Sequence, residues 1–401
     1  MEKHYRGAGT LAIHGGRMAD QFNALSTPIY QSALYSFDTC QDGGDGFSKI
    51  DAGTETCYIY PRYRNPTTEV LEKKVALLEG AEAGIAMGSG MAAVSSTLWA
   101  ILKPGDHFIA DVTMYSATYS LMTRFLNKFG IESTFLETGD VEAIKKALRP
   151  ETAIMYVETP TNPTLKIVDI KAIVDVVRAY NPAIRIVADN TFATPYCQNP
   201  LKLGCDIVIN SATKYLNGHG DVCAGIICAD KDFIQRVRSV CMREVTGAVL
   251  GQQESYLVIR GLKTFGVRME RHCTNAMKLA EYLHAHPKVE KVFYPGLPSD
   301  PGHDIAKKQM HNGFGGMVSF EVKGGKQAAI DLVNNLQVCV IATSLGDAET
   351  LVEHPATMSH FNFSKEELVA AGISEGFIRV SVGLEEIEDI IGDWEQSLAK
   401  L

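Results

Sequence analysis

The 401-residue sequence lacks features that would assign it to several protein classes. No apolar run approaches the roughly 20 residues of a membrane-spanning helix, and the first residues, MEKHYRGAG, contain no apolar signal segment. Positive charge is not in excess: 38 Lys and Arg against 47 Asp and Glu leave a net charge of -9. Because nucleic acids and anionic lipids bind basic surfaces, we expect neither a nucleic acid nor a membrane as a partner.

Disulfide and metal patterns are also lacking. The nine cysteines are odd in number and form no CxxC motif, which argues against a disulfide framework. The closest pair, Cys223 and Cys228, lies in CAGIIC (223–228), which predicts a buried strand. The 11 histidines show no metal-ligand spacing, so no metal site is predicted. We therefore expect a cytoplasmic protein with reduced cysteines.

Short apolar strands and amphipathic helices alternate through the middle of the chain. HFIADV (107–112) and AIMYVE (153–158) are typical of buried strands, and helices are indicated from Asn65-Pro66 to Gly80 and at Tyr119–Phe129. Strands that are apolar throughout, with helices between them, predict an α/β fold with a mostly parallel sheet covered by helices.

The pattern changes at both ends of this α/β region. A helical stretch at about 252–285 leads to strand candidates such as MVSFEV (317–322), which indicates a smaller C-terminal α+β domain. We predict three parts: an irregular N-terminal arm at 1–60, a large domain at 61–251 and a small domain at 252–401.

The segment Gly88-Ser89-Gly90-Met91 joins a predicted strand to a predicted helix. Small residues there let backbone N–H groups approach a phosphate, and the helix dipole favours its negative charge. The segment also matches the GxGxxA dinucleotide fingerprint, and Asp111 follows at about the right distance. A nicotinamide or flavin oxidoreductase is therefore an alternative on these residues, as is a plain tight turn.

Ser211-Ala212-Thr213-Lys214 follows another predicted strand, DIVINS (206–211). An isolated ammonium is costly to desolvate, so Lys214 either lies at the surface or has a chemical role. A desolvated lysine has a lowered pKa and can form a Schiff base. The hydroxyls of Ser211 and Thr213 alternate along the chain and could face one phosphate.

Asp189 ends the predicted strand RIVADN (185–190). A carboxylate at the end of an apolar strand needs a cationic partner, and a pyridinium nitrogen is one such partner. A helix cap or a structural salt bridge would also explain this residue alone. A strand-end Asp followed some 25 residues later by Ser-x-Thr-Lys is a more specific combination.

At these residues the sequence resembles the γ-family of Cys/Met-metabolism enzymes that depend on pyridoxal 5'-phosphate (PLP) and have fold type I. The resemblance extends over nearly the whole chain. The matching stretches are YIYPRYRNPTTEVLE (58–72), GSGMAAV (88–94), VETPTNP (157–163), VADNTFATPY (187–196), NSATKYLNGHGDV (210–222), TSLGDAETLVEHPATMSH (343–360) and GISEGFIRVSVGLEE (372–386).

The resemblance implies PLP as the cofactor, bound covalently by Lys214, and a PLP-dependent transferase-like fold. Asp189 would pair with the ring nitrogen, and Tyr115 would stack on the ring and act as an acid or base. Arg379, assisted by Ser344 and Asn162, would bind the substrate carboxylate. The phosphate would be held by Ser89, Gly90, Met91, Ser211 and Thr213, and by Tyr60 and Arg62 from a neighbouring subunit.

The implied activity is elimination on a sulfur-containing amino acid, methionine or homocysteine first, giving a thiol, ammonia and 2-oxobutanoate. Cystathionine cleavage, cysteine desulfhydration and O-acetylhomoserine sulfhydrylation are the family's alternatives, and a non-catalytic PLP-fold protein is a further one. Ala117 and Arg243-Glu244 replace the Cys and Lys-Asp usual in methionine-cleaving members, whereas Thr343 replaces the Glu usual in cystathionine-using ones. Shared sites imply a homodimer at least, and we expect a tetramer.

Overall fold

The computed structural model describes residues 7–53, 57–361 and 363–401, and these residues form two β-sheets. The first sheet contains β1 to β7 and the second contains β8 to β12. The strands are β1 (Ala83–Met87), β2 (His107–Asp111), β3 (Glu132–Leu136), β4 (Thr152–Glu158), β5 (Arg185–Asp189), β6 (Ile207–Asn210), β7 (Gly225–Ala229), β8 (Val289–Phe293), β9 (Met317–Val322), β10 (Val340–Ile341), β11 (Leu351–Glu353) and β12 (Phe377–Ser381).

Helices lie between these strands and at both ends of the described chain. The α-helices are α1 (Ala8–His14), α2 (Cys40–Ala52), α3 (Pro66–Glu79), α4 (Gly90–Ile101), α5 (Ser116–Ser120), α6 (Val141–Ala147), α7 (Ile170–Tyr180), α8 (Thr194–Cys197), α9 (Lys231–Arg236), α10 (Gln252–Leu262), α11 (Phe265–Ala285), α12 (His303–Gln309), α13 (Gly325–Asn334), α14 (Lys365–Ala370) and α15 (Ile387–Leu398). Two π-helical segments (Leu121–Phe125 and Val237–Thr246) and three 3₁₀ segments (Leu126–Phe129, Pro200–Leu203 and Pro355–Thr357) complete the set.

The first sheet has the strand order β1-β7-β6-β5-β4-β2-β3. The strands from β6 to β3 are all parallel, whereas β7 runs antiparallel to both β6 and β1. The predicted mostly parallel sheet is therefore confirmed. The second sheet, β10-β11-β12-β9-β8, is mostly antiparallel, as expected for a smaller α+β unit.

Both faces of the first sheet are covered, which explains why its central strands are mostly apolar. In β7, Ile226 and Cys228 pack into the core on one face, and Ile227 and Ala229 pack into the core on the other. The second sheet has its own core, which includes the fully buried Trp394 of α15.

Local sequence signals set the ends of α3. Asn65 caps the helix by accepting the N–H of Thr67, Pro66 takes the first helical position, and Gly80 ends it in the left-handed conformation. Residues 66–79 are therefore helical as predicted. This helix packs on β1 and α10, where it supports the face of the sheet opposite α4.

Three sequence predictions differ from the structure. The arm at 1–60 is not wholly irregular, because α1 and α2 lie within it; residues 1–6 and 54–56 of the arm lie outside the described residues. The predicted helix Tyr119–Phe129 changes from α to π to 3₁₀ geometry. The stretch 252–285 is two helices, broken at Lys263 and Thr264.

The strands of the first sheet all precede residue 230, and those of the second all follow residue 288. The boundary between residues 251 and 252 itself stays a prediction. Within the described residues, no helix combines the length and apolar character needed to cross a membrane.

Candidate active site

A cavity of about 460 Å³ opens at the carboxyl ends of β4, β5 and β6. These parallel strands end side by side, so the residues that follow them meet at one edge of the sheet. The start of α4 and parts of the second sheet complete the wall. The predicted site residues that line it are Ser89, Gly90, Met91, Tyr115, Asn162, Asp189, Ser211, Thr213, Lys214, Ser344 and Arg379.

Lys214 lies in the turn after β6 and lines the cavity. Its Nζ donates a hydrogen bond to Oγ of Ser344 at 2.8 Å. Burial, together with the nearby positive charge of Arg379, lowers the pKa of the Lys214 amine. A lowered pKa increases the neutral fraction of the amine, which is the form that attacks a carbonyl carbon or accepts a proton.

The start of α4 and the turn after β6 touch each other. Gly90 is the first helical residue, and a Cβ at this position would come within 2.8 Å of Cβ and Oγ of Ser211. Ser89 caps the helix by accepting the N–H of Ala92, whereas N–H groups in a first helical turn have no intrahelical partner. Close backbone approach, N–H donors and a hydroxyl make a cradle that fits a phosphate.

Thr213 lines the cavity, but its hydroxyl already has partners. The Oγ1 of Thr213 donates to the carbonyl oxygen of Ala224 at 3.1 Å and accepts the N–H of Ala224 at 2.9 Å. A hydroxyl has one proton to donate, so Thr213 can donate to a phosphate only by leaving the Ala224 oxygen. Its predicted phosphate contact stays a prediction.

Asp189 ends β5 and lines the same cavity. One oxygen accepts the N–H of Thr191 at 3.0 Å, and the other accepts a weak hydrogen bond from the Tyr156 hydroxyl at 3.5 Å. Burial raises the pKa of the Asp189 carboxyl. A cation in the cavity, such as a protonated ring nitrogen, would stabilise the ionised carboxylate.

Arg379 lies on β12 with its guanidinium held from several sides. Nη1 is 3.0 Å from Oε1 of Glu353 and donates to Oδ1 of Asn162 at 2.9 Å. Nη2 donates to the carbonyl oxygens of Thr343 and Ser344 at 3.1 and 3.2 Å. The buried Nε has no hydrogen-bond partner among the described residues. An oriented guanidinium with a remaining donor suits the binding of a carboxylate.

Tyr115 immediately precedes α5 and borders the cavity with 44% of its surface exposed. Partial burial raises the pKa of its phenol, although the charge of Arg379 opposes this shift. The phenol therefore stays protonated at neutral pH and can donate a proton. Its open ring can also stack on a flat ligand.

The model of the family "Cys/Met metabolism PLP-dependent enzyme" matches residues 9–399. The chain belongs to this family. Its relatives include the L-methionine gamma-lyase of Fusobacterium nucleatum subsp. nucleatum, 53% identical over 100% of both chains. The cystathionine gamma-lyase of Bacillus subtilis is 43% identical over 98% of this chain and 99% of the relative.

The crystal structure of metB from Corynebacterium glutamicum superposes with a TM-score of 0.90. The two chains are 39% identical, and the match covers 98% of each. The family and this neighbour confirm the predicted PLP-dependent fold and the predicted cofactor, PLP.

The cavity residues fit this cofactor on structural grounds. PLP carries an aldehyde, a phosphate and a ring nitrogen, and the cavity offers a different partner for each. The amine of Lys214 suits the aldehyde, the cradle at Gly90 and Ser211 suits the phosphate, and the carboxyl of Asp189 suits the ring nitrogen.

The dinucleotide alternative is wrong. The chain belongs to a PLP-dependent family, and the structure gives Asp111 another use. Its Oδ1 accepts the N–H of Thr113 at 2.7 Å, and its Oδ2 accepts the N–H of Thr138 at 2.9 Å as well as the Thr138 hydroxyl. Asp111 is fully buried and does not line the cavity, so its carboxylate organises a turn.

Tyr60 and Arg62 do not line the cavity of their own chain. The Arg62 guanidinium lies over the Tyr60 ring, 4.8 Å from its centroid, and its buried Nε has no hydrogen-bond partner among the described residues. Their predicted contact with a neighbouring subunit's cofactor stays a prediction.

The positions that depart from the family pattern lie at different distances from the site. Thr343 lines the cavity, and Ala117 lies one residue beyond a lining residue, Ser116. Arg243 lies outside the lining, where it pairs with Asp51 and with its neighbour Glu244. Only the first two therefore adjoin the space that a substrate would fill.

Three residues at the cavity are not among the predicted site residues. Glu158 lines it at the end of β4, and Glu353 lies behind Arg379 in β11. Cys223 is exposed in the lining, because β7 begins only at Gly225; its predicted place in a buried strand is wrong, whereas that of Cys228 is confirmed. Glu158 was recognisable as a strand-end carboxylate, but nothing in the sequence pairs Glu353 with Arg379.

Proposed function

We propose that this chain is a PLP-dependent carbon–sulfur lyase that cleaves L-methionine to methanethiol, ammonia and 2-oxobutanoate. The observation that carries the proposal is that Lys214, Asp189 and Arg379 line one cavity. Together they offer a nucleophilic amine, a partner for a ring nitrogen and an anchor for a carboxylate. The full-length similarity to the Fusobacterium enzyme supports methionine as the substrate.

Lys214 would bind the cofactor covalently, while Ser89, Gly90, Met91, Ser211 and Thr213 would hold its phosphate. When bound, PLP supplies an electron sink for the negative charge that forms next to the amino group. Once released by the substrate, the Lys214 amine would take the proton from the substrate α-carbon. Its lowered pKa supports this role, because a neutral amine is a base.

The remaining steps would use residues around the cavity. Arg379 would hold the substrate carboxylate, with Asn162 and Ser344 fixing the guanidinium. For γ-elimination, Lys214 would also move a β-proton, and Tyr115 would protonate the leaving thiolate. The raised pKa of the Tyr115 phenol keeps this proton available at neutral pH.

Cystathionine is the second candidate substrate. The full-length similarity to the Bacillus cystathionine gamma-lyase favours it, as does Ala117 in place of the Cys of methionine-cleaving members. Thr343 argues against it, because a threonine at the cavity offers no charge to the distal ammonium of cystathionine. Methionine therefore remains the preferred proposal.

The active form would be a homo-oligomer, a dimer with shared sites that pairs into a tetramer. Large apolar side chains of the arm support this: Phe22, Leu25 and Leu34 are 80, 79 and 78% exposed in the single chain. Nine free cysteines support a reducing, cytoplasmic location. The site would then receive Tyr60 and Arg62 from the neighbouring subunit.

A substrate panel tests the activity directly. The holoenzyme is incubated with methionine, homocysteine, cysteine and cystathionine, and keto acid, thiol and ammonia are each measured. We expect methionine to give 2-oxobutanoate, methanethiol and ammonia in equal amounts, with the highest kcat/KM of the panel. A higher kcat/KM for cystathionine would reject the methionine proposal, and adding O-acetylhomoserine with sulfide would reveal a synthase.

Subunit complementation tests the shared site. Lys214→Ala and Arg62→Ala would each inactivate a homo-oligomer. Hybrids made by mixing and refolding the two variants would regain activity, since one site would combine an intact Lys214 with an intact Arg62. Hybrids that stay inactive, although mass measurement shows that they form, would reject the shared site.

A further inference from the structure

Glu158 connects two parts of the candidate site that are distant in sequence. It ends β4 and is 5% exposed. Its Oε2 accepts the backbone N–H of Tyr115 at 3.0 Å, and its Oε1 accepts the backbone N–H of Asn162 at 2.8 Å. A single carboxylate therefore joins the segment before α5 to the segment after β4.

Each of these two segments presents a side chain to the cavity. Tyr115 carries the ring that borders the cofactor space, and Asn162 accepts from Nη1 of Arg379 at 2.9 Å. Displacement of the Asn162 backbone would move the acceptor that helps to orient this guanidinium. Glu158 is thus one hydrogen bond from Tyr115 and two from Arg379.

A second feature is the proximity of Glu158 to Asp189. The two residues are direct neighbours in the parallel register of β4 and β5, and both line the cavity. Burial and the charge of Asp189 raise the pKa of Glu158 well above its ordinary value. Two carboxyl groups side by side are costly to bury, and the described residues give Glu158 no ion-pair partner, which is unusual for a residue with only a packing role.

We propose that Glu158 is a positioning residue that fixes Tyr115 and Asn162 relative to the bound cofactor and the substrate carboxylate. The inference rests on the proposed function, since it assigns Tyr115 to the cofactor ring and Arg379 to the carboxylate. Both oxygens of Glu158 are used as acceptors. Gln can accept with only one of its two terminal atoms, and Ala with neither.

Asp393 provides a matched control away from the cavity. It too is a buried carboxylate, in α15, and both its oxygens accept backbone N–H groups, one from Gln337 and the other from Val338 and Cys339. None of these four residues lines the cavity. A general loss of stability should therefore appear in Asp393→Asn as well, whereas a loss of site geometry should not.

The experiment compares Glu158→Gln, Glu158→Ala and Asp393→Asn with the wild type as holoenzymes. Visible circular dichroism of the bound cofactor reports its surroundings without turnover, and methionine kinetics separate kcat from KM. We expect Glu158→Ala to change the dichroism band and to lower kcat/KM about 10²-fold, the order expected when a displacement of roughly 1 Å disturbs an active site. Part of that loss should appear as a raised KM, because Asn162 supports Arg379.

Glu158→Gln should retain one of the two hydrogen bonds, so its dichroism band and its kcat/KM should lie between those of Glu158→Ala and the wild type. If Glu158→Ala does not fold, Glu158→Gln alone provides the test. Asp393→Asn should lose thermal stability and keep the wild-type dichroism and KM. Wild-type dichroism in both Glu158 variants would overturn the inference, as would an equal change in Asp393→Asn. The dichroism does not depend on which sulfur compound is cleaved, so a wrong methionine assignment would not imitate either result.

Discussion

Removal of the Glu353 carboxylate should destabilise the protein strongly. The side chains of Glu353 and Arg379 are 0% and 3% exposed, and Oε1 of Glu353 lies 3.0 Å from Nη1 of Arg379. Glu353→Ala would leave the guanidinium charge buried without its counterion, which costs about 3–5 kcal/mol. With a urea m-value of roughly 3 kcal/mol/M, the unfolding midpoint should fall by about 1–2 M.

Urea unfolding followed by circular dichroism measures this change. The control is Glu244→Ala, because its partner Arg243 is only partly buried, and Glu244 is 55% exposed. Exposed pairs contribute about 0–1 kcal/mol, so this midpoint should shift by less than roughly 0.3 M. Equal shifts for the two variants would refute the reasoning that burial makes the Glu353 pair essential.

Three further predictions concern the phosphate cradle at Gly90, the proposed acid Tyr115 and the buried carboxyl of Glu79. Gly90→Ala should weaken PLP binding at least ~10-fold in equilibrium dialysis, because its Cβ would meet Ser211 at 2.8 Å, whereas Gly139→Ala, with open space around it, should bind normally. Tyr115→Phe should lower kcat about 10²-fold or more with less effect on KM; an unchanged kcat would exclude it as the acid. Burial raises the pKa of Glu79 to about 7, so the folded protein holds this proton more tightly than the unfolded chain with its value of 4.5. Relative to Glu79→Gln, the wild type should lose about 3 kcal/mol of unfolding free energy as the pH rises from about 4.5 to 7, and parallel stability curves would contradict this.

Helices and strands whose ends or burial depend on neighbouring residues could be predicted from the sequence. Asn65, Pro66 and Gly80 predict both ends of α3, and the apolar runs predict β2, β4, β5 and β6. Two strands with weak sequence patterns were not predicted: β3 (ESTFL) is a partly exposed edge strand, and β11 has only three residues. The direction of β7 depends on tertiary pairing, which an apolar run cannot reveal.

The candidate site, too, could be predicted only in the parts that local sequence determines. Lys214, Asp189 and the turn at Gly90 lie at or just after strand ends, so their meeting at one sheet edge could be predicted. The residues that bond to the functional side chains come from other parts of the chain. Glu353 reaches Arg379 only through the pairing of β11 with β12, and Ser344 reaches Lys214 only because the second sheet closes the cavity. Such contacts are set by strand pairing within the second sheet and by packing between the sheets rather than by any local pattern.

The most direct test of the account is to locate the covalent bond between the protein and its cofactor. The holoenzyme is reduced with borohydride and digested, and the peptides are analysed by mass spectrometry. We predict one reduced PLP adduct, on Lys214, and loss of both the adduct and the visible chromophore in Lys214→Ala. An adduct on a different lysine, or a chromophore that persists in Lys214→Ala, would contradict the account.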